Sequence, residues 1–251
     1  MKKILAFDLD DTLAITKSPI SDEMAAVLSE ALETYDICII SGGKYELFQH
    51  QVIDRLNIGP EKLTRIHLMP TCGTRYYRFD EAKNDWVLQY TEDLTEDEIK
   101  KISTVLEEAA RQTGYWPENP AGEVIENRGS QVSYSGLGQN ATPEAKYAWD
   151  PDTAKRQAIL SVVFDKIPEL EARIGGTTTI DVTRKGIDKA YGMQKLIDAT
   201  GVAKEEILFF GDMLQPGGND YPIKAFGIES VEVESWQDTS QKLQLLLSKS
   251  H

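Results

Sequence analysis

Two aspartates in the run Asp8-Leu9-Asp10-Asp11-Thr12 are the first residues of the chain whose types and spacing could do chemistry. They follow Ile4-Leu5-Ala6-Phe7, an apolar stretch that reads as a buried strand of a parallel sheet. Side chains alternate along a strand, so Asp8 and Asp10 are expected on one side and Leu9 on the other. Open α/β sheets bind ligands at the carboxyl ends of their strands. Paired carboxylates at such an end repel one another and lose hydration, so they call for a cation.

Three further stretches carry groups that suit the same end of a sheet. Ser41-Gly42-Gly43 follows the apolar run Ile37-Cys38-Ile39-Ile40, Lys189 opens a predicted helix, and Gly211-Asp212 ends a second apolar run with Asn219-Asp220 in the loop beyond. The Ser41 hydroxyl and the Gly42 and Gly43 amides, close to a helix N-terminus, favour a phosphate oxygen. Lys189 adds a compact positive charge, although Arg184 or Lys185 could fill that role. Asp8 and Asp212, with waters and a backbone carbonyl, offer the hard-oxygen shell that Mg²⁺ prefers. A carboxylate at ~4 Å from a phosphate dianion meets about 8 kcal/mol of repulsion at an effective dielectric of 20. Uncompensated, that repulsion would slow attack by roughly six powers of ten. A divalent cation and one lysine bring three positive charges against the three negative ones.

The elements that must position these groups follow from periodicity. Strand-like and helix-like segments alternate up to about residue 90 and again from about residue 185, as in a parallel sheet with right-handed crossovers. Ser21 reads as the N-cap of a helix that buries Met24, Val27, Leu28 and Leu32. Thr74–Phe79 and Trp86–Tyr90 read as strands joined by a turn at Lys83-Asn84-Asp85. Between them the two core segments enclose residues 91–184. There a charged helix (Thr95–Gln112), a helix from Asp152 to Phe164 or beyond, and three alternating strands (Glu123–Glu126, Gln131–Ser135, Thr177–Val182) predict a half-exposed antiparallel sheet. The expected architecture is α/β, with a discontinuous Rossmann-like core of residues 1–90 and 185–251 and an inserted α+β domain of residues 91–184.

Composition limits the partners. Lys and Arg number 27 against 41 for Asp and Glu, a formal net charge of −14 among 251 residues. That balance argues against nucleic acid and against an anionic membrane surface. No apolar stretch approaches the ~20 residues that span a bilayer, and the N-terminal apolar segment is too short for a signal peptide. Two cysteines, Cys38 and Cys72, form no disulfide framework, so a reduced, cytoplasmic setting is expected. His50, His67 and His251 lack metal-ligand spacing and are expected at the surface.

Taken together, Phe7-Asp8-Leu9-Asp10-Asp11-Thr12-Leu13, Ile40-Ser41-Gly42-Gly43, Gly186-Ile187-Asp188-Lys189 and Gly211-Asp212 with Gly217-Gly218-Asn219-Asp220-Tyr221 resemble the four motifs of the haloacid dehalogenase superfamily. The large insert is similar to the subclass IIB (type C2B) cap. The spaced form of the fourth motif, with Ile174-Gly175-Gly176 before Ile180-Asp181-Val182, resembles the eukaryotic-type phosphomannomutase branch. The resemblance implies that Asp8 forms an aspartyl-phosphate, that Asp10 is the general acid and base, and that Ser41 and Lys189 hold the transferring phosphoryl group. It implies a Mg²⁺ site at Asp8, Asp10 (through its carbonyl), Asp212 and Asp220. Thr12 is expected to hydrogen-bond within its loop.

In that branch several arginines grip a second phosphate. This sequence keeps one as Arg128 and carries Gln139, Lys146 and Lys17 at the others, with Thr179 where serine is usual and Asp181 retained. The resemblance thus places Gly42, Gly43, Arg128, Lys146, Thr179 and Asp181 around the substrate. Lysine cannot reproduce a bidentate guanidinium–phosphate contact, and glutamine carries no charge. On those grounds a Mg²⁺-dependent phosphatase of a small phosphorylated metabolite, a sugar phosphate, ranks first. A phosphomannomutase-type hexose-phosphate mutase is the alternative, and a non-catalytic sugar-phosphate-binding protein is the alternative of another class. A monomer or a homodimer fits either enzyme.

Overall fold

Strand β1 (Ile4–Phe7) is buried along its whole length because it has neighbours on both edges and helices on both faces. The computed structural model describes residues 2–249. After β1 the chain forms α1 (Asp22–Ala31), β2 (Asp36–Ile40), α2 (Tyr45–Gln51), the single turn α3 (Pro60–Leu63) and β3 (Ile66–Met69). A tight turn, α4 (Pro70–Gly73), then leads into the hairpin β4 (Arg75–Asp80) and β5 (Asp85–Thr91). The insert holds α5 (Glu96–Gln112), β6 (Ile125–Asn127), β7 (Val132–Ser135), α6 (Pro143–Trp149), α7 (Ala154–Lys166), β8 (Leu170–Gly175) and β9 (Thr179–Arg184). The chain ends with α8 (Lys189–Thr200), β10 (Ile207–Gly211), α9 (Tyr221–Ala225), β11 (Glu229–Glu232) and α10 (Trp236–Ser248).

The first unit comprises residues 1–91 and 188–251. Its sheet runs β11-β10-β1-β2-β3-β4-β5, parallel from β11 to β3 and antiparallel through the final hairpin. Alternation along β1 divides the core into two layers. Leu5 and Phe7 pack with Met24, Val27 and Leu28 of α1, Phe48 of α2 and Leu243 and Leu247 of α10. Ile4 and Ala6 face Met193 and Leu196 of α8 and Ile223 of α9. Ser21 caps α1, its side chain accepting from the Met24 N–H, as the acidic start Asp22-Glu23 predicts.

The second unit, residues 92–187, has its own sheet, β6-β7-β9-β8, antiparallel throughout. One face carries Val132, Tyr134, Ile180 and Val182, which pack against Ile102 and Leu106 of α5 and Ile159 and Val163 of α7. The other face carries a polar row, Glu126 opposite Ser133 opposite Asp181 opposite Arg173. The junctions fall at 91/92 and 187/188, against 90/91 and 184/185 in the sequence reading.

Several details differ from the sequence reading. β8 and α6 were not anticipated. β8 (Leu170-Glu171-Ala172-Arg173-Ile174-Gly175) alternates polar and apolar over a hairpin to β9, and it lies so soon after α7 that its pattern blends into the helix. His67 is buried in β3, with Nδ1 hydrogen-bonded to the Tyr76 hydroxyl at 2.8 Å, whereas His50 is exposed as expected. A lone histidine in a buried strand finds a phenol partner across the β3–β4 pairing, which no local spacing announces. His251 lies outside the described residues. Among the described residues, no helix is long and apolar enough to cross a membrane.

Two glycines bring α8 against the end of the sheet. A Cβ on Gly192 would lie 2.5 Å from Ile40 Cδ1 and 2.6 Å from the Cys72 carbonyl oxygen, and one on Gly73 would lie 2.5 Å from Gly192 Cα. Gly73 also takes φ +83, after Thr71 and Cys72 at φ 48 and 57. Gly192→Ala is therefore expected to destabilise the protein by about 1–2 kcal/mol, because overpacking outweighs alanine's helix preference of about 1 kcal/mol. A lowered urea midpoint with unchanged slope checks this, and a raised midpoint would refute it.

Candidate active site

The carboxyl end of the parallel sheet collects the acidic residues that the sequence singled out. Asp8 follows β1 and extends its ladder, its N–H donating to the Phe210 carbonyl at 3.0 Å. Asp212 follows β10, and Asp220 closes the loop beyond it by accepting from the Met213 N–H at 3.1 Å. Gly211 makes room for that closure, since a Cβ there would sit 2.5 Å from Asp220 Oδ2. Lys189 is the first residue of α8, whose N-cap Asp188 accepts from the Tyr191 N–H. From there its Nζ donates to Asp8 Oδ1 at 2.5 Å and to Asp220 Oδ1 at 2.6 Å. All three side chains are buried. Arg184 pairs with Glu98, and Lys189 is the cation bonded to this cluster among the described residues.

Electrostatics follow from that burial. Desolvation pushes the Asp8 carboxyl well above its usual range, the Lys189 ammonium opposes the shift, and the Asp220 and Asp212 carboxylates add to it. Asp212 is pushed up to about 7, first by burial and then by Asp220, with Lys189 again opposing. Burial would strip the Lys189 proton, yet Asp220 and Asp8 outweigh it and hold the ammonium above the ordinary lysine range. Two or more crowded carboxylates share one lysine, so a further positive charge belongs here.

Carboxylate oxygens of Asp8, Asp212 and Asp220 lie within 4.8 Å of one another. In the same loop Asn219 Oδ1 is buried without a hydrogen-bond partner. Hard oxygens, excess negative charge and an orphaned acceptor fit Mg²⁺. The Asp10 carboxylate is not part of this group. Its Oδ1 accepts from the Lys17 N–H (2.9 Å) and Gln51 Nε2 (3.1 Å), and its Oδ2 accepts from Lys17 Nζ (2.7 Å). Burial works to raise its pKa, but Lys17 and then Gln51 outweigh it, so Asp10 sits below the usual carboxylate range. Its side chain is therefore held within its own donor set, apart from the Lys189 cluster.

Ser41 is buried after β2, and its Oγ accepts from the Gly43 N–H at 3.2 Å. Thr71 and Cys72 N–H groups donate to the Gly43 and Ser41 carbonyls at 3.0 Å, fixing the loop against the turn after β3. The Thr12 hydroxyl is buried without a partner; it is the Thr12 carbonyl that is bonded, accepting from Thr239 Oγ1 at 2.7 Å.

In the second unit the polar sheet face gathers Arg128, Asp181 and Thr179. Arg128 Nε donates to Glu126 Oε2 at 2.7 Å, and its Nη1 lies 3.7 Å from Asp181 Oδ1, which also accepts from Ser133 Oγ at 2.6 Å. Gly175 leaves space for Thr179 Oγ1 and Asp181 Oδ2, which lie 2.5 and 2.3 Å from where its Cβ would be. Lys146, buried on α6, instead donates to the Gln139 carbonyl at 2.8 Å. Sequence reasoning missed Glu126 and Gln51. The alternation Glu126-x-Arg128 could have flagged the first as a same-face ion pair, whereas a glutamine near a helix end carries no signal for the second.

A family model described as eukaryotic phosphomannomutase matches residues 24–249. The chain is similar to the phosphomannomutase of Encephalitozoon cuniculi, at 26% identity over 269 residues, covering 99% of this chain and 94% of that protein. It is also similar to the phosphomannomutase of Spinacia oleracea, at 26% over 231 residues (88% and 86%). Among solved structures, a haloacid dehalogenase-like hydrolase from Bacteroides thetaiotaomicron superposes with a TM-score of 0.62 at 15% identity, covering 98% of this chain and all of that one. An IMP-bound, N-terminally truncated IMP-nucleotidase from Plasmodium falciparum superposes at 0.69 and 17%, covering 98% and 68%. At such identities these two speak for the fold alone.

Asp212 holds a proton up to about pH 7 in the metal-free protein, and ligation needs the carboxylate. Apparent Mg²⁺ affinity should therefore rise about tenfold per pH unit below pH 7 and level off above it; calorimetric titration at pH 5.5, 6.5 and 7.5 checks this, and a flat profile would refute it. Lys189→Met should cost about 3–5 kcal/mol at pH 7 without Mg²⁺, because it strands two buried carboxylates. That cost should shrink at pH 5 as Asp8, whose carboxyl burial already pushes up, takes a proton, read as converging urea midpoints.

Proposed function

The chain belongs to the eukaryotic phosphomannomutase family, and from that membership we propose that it is a hexose-phosphate mutase transferring a phosphoryl group through Asp8. The observation that carries the chemistry is the buried ammonium of Lys189 shared by Asp8 and Asp220 at the carboxyl end of the sheet. One Asp8 oxygen is engaged by Lys189, and the other attacks phosphorus in line. The bond from phosphorus to the sugar oxygen breaks, and Asp10 supplies the proton that oxygen needs. In the return step a sugar hydroxyl gives its proton to Asp10 and takes the phosphoryl group from Asp8. Asp8, Asp212 and Asp220, with the Asp10 carbonyl, would hold Mg²⁺, which would supply positive charge to offset the crowded carboxylates and the phosphoryl group. Ser41, Gly42 and Gly43 hold those oxygens on the protein side.

Arg128, Lys146, Thr179 and Asp181 are proposed as the groups that read the sugar and its second phosphate. The match across residues 24–249 supports a mutase over a simple phosphatase, reversing the order in which the sequence alone ranks the two. One observation favours the phosphatase as a second reading: Arg128 is engaged by Glu126 and Lys146 by a carbonyl, so neither presents a bare charge. A cytoplasmic setting belongs to the same proposal and rests on a sequence with two cysteines and no disulfide framework.

Mannose 1-phosphate with Mg²⁺ and a catalytic amount of hexose 1,6-bisphosphate separates the readings. Mannose 6-phosphate as the main product supports the mutase, and stoichiometric free phosphate supports the phosphatase. Asp8→Asn should lower either activity by at least about 1000-fold, since the nucleophile is gone. Turnover by Asp8→Asn within tenfold of the unaltered protein would rule out attack by Asp8.

A further inference from the structure

Gln51 ends α2, and its side chain is fully buried. Its Nε2 donates to Asp10 Oδ1 at 3.1 Å and to the Ser18 carbonyl at 2.9 Å, while its Oε1 is buried without a partner. Turning the amide over would set its oxygen against two acceptors, so the partners fix its orientation. A buried acceptor left unsatisfied destabilises the fold. Methionine or leucine would fill the same space without that loss, so packing does not account for an amide here.

What the amide does is visible from the other side of the carboxylate. Lys17 takes a left-handed φ of 57, unfavourable for a residue with a Cβ. In that conformation both its N–H and its Nζ reach Asp10. The loop between is folded on the same centre: Thr16 N–H donates to Asp11 Oδ1 at 3.2 Å, and Ile20 N–H donates to the Gln51 carbonyl at 2.8 Å. An unsatisfied acceptor and a strained lysine thus converge on one carboxylate, which receives three donors from two elements.

We propose that Gln51, acting with Lys17, is the positioning residue that fixes the Asp10 carboxyl for proton transfer to and from the sugar oxygens. The inference rests on the reading of Asp10 as acid and base. Gln51 acts through Asp10, setting the angle at which the Asp10 carboxyl meets the leaving oxygen. A misplaced acid slows departure of an alkoxide, which needs a proton, and leaves departure of a nitrophenolate almost unchanged.

Gln51→Met keeps the volume, and Gln51→Glu keeps the shape if the methionine variant fails to fold. Phosphorylation of Asp8 is followed in single turnovers, by rapid quench with mannose 1-phosphate and as a nitrophenolate burst with p-nitrophenyl phosphate. Either variant is expected to lose about 10- to 100-fold in the first rate and less than about 3-fold in the second. Equal losses with both donors would mean that Gln51 merely braces the loop, and would overturn the proposal while leaving Asp8 chemistry intact. Unchanged rates with both would overturn it equally. No phosphoryl group recovered on Asp8 from the quenched single turnovers of the unaltered protein would instead bring down the aspartyl-phosphate reading, and this inference with it.

Discussion

A lysine ammonium shared between two buried carboxylates is costly in every part. Each ion loses hydration, and the arrangement survives only because Asp8, Lys189 and Asp220 are drawn to one point by three different elements. β1 must be paired on both sides for Asp8 to stand at its end, α8 must begin at residue 189 for the ammonium to arrive, and the loop after β10 must close on Met213 for Asp220 to meet it. Glycines appear where these approaches are tightest: Gly211 under Asp220, and Gly73 and Gly192 where α8 meets the turn after β3. Stability and the proposed chemistry draw on the same constraint, because the cluster holds more negative charge than Lys189 alone offsets.

The two proposed catalytic aspartates are separated by electrostatics despite lying two residues apart. Asp8 is pushed up by burial among other carboxylates, whereas Asp10 is held down by Lys17 and Gln51. The second unit shows a related economy of charge. Arg128 is set between Glu126 and Asp181 on the sheet face turned away from the apolar layer of Val132, Tyr134, Ile180 and Val182, so its guanidinium is paired with carboxylates of its own unit.

Much of this was legible in the sequence because apolar runs ending in aspartate or glycine mark the carboxyl ends of buried strands. Ile4–Phe7, Ile37–Ile40 and Ile207–Phe210 each declared a strand and the candidate site loop after it. The Asp8–Lys189 contact, 181 residues apart, was inferable only because both ends announce themselves. Residues without a local signature escaped. Gln51 looks like an ordinary helix glutamine, the buried acceptor that it offers to nothing is a property of three-dimensional packing, and the donor set around Asp10 depends on a left-handed lysine. β8 was hidden because polar alternation beside a helix end is ambiguous between helix and strand periods.

The order of the strands has a consequence for how the molecule is made. β1 has β10 on one edge and β2 on the other, and β10 follows the entire inserted unit. On a ribosome the segments up to Thr91 emerge first, with one flank of β1 bare. At a synthesis rate of about 5–20 residues per second, the 207 − 91 = 116 residues up to Ile207 need roughly 6–23 seconds. For that interval an apolar strand edge stands open to any other nascent chain, a hazard of aggregation built into the order of the chain itself.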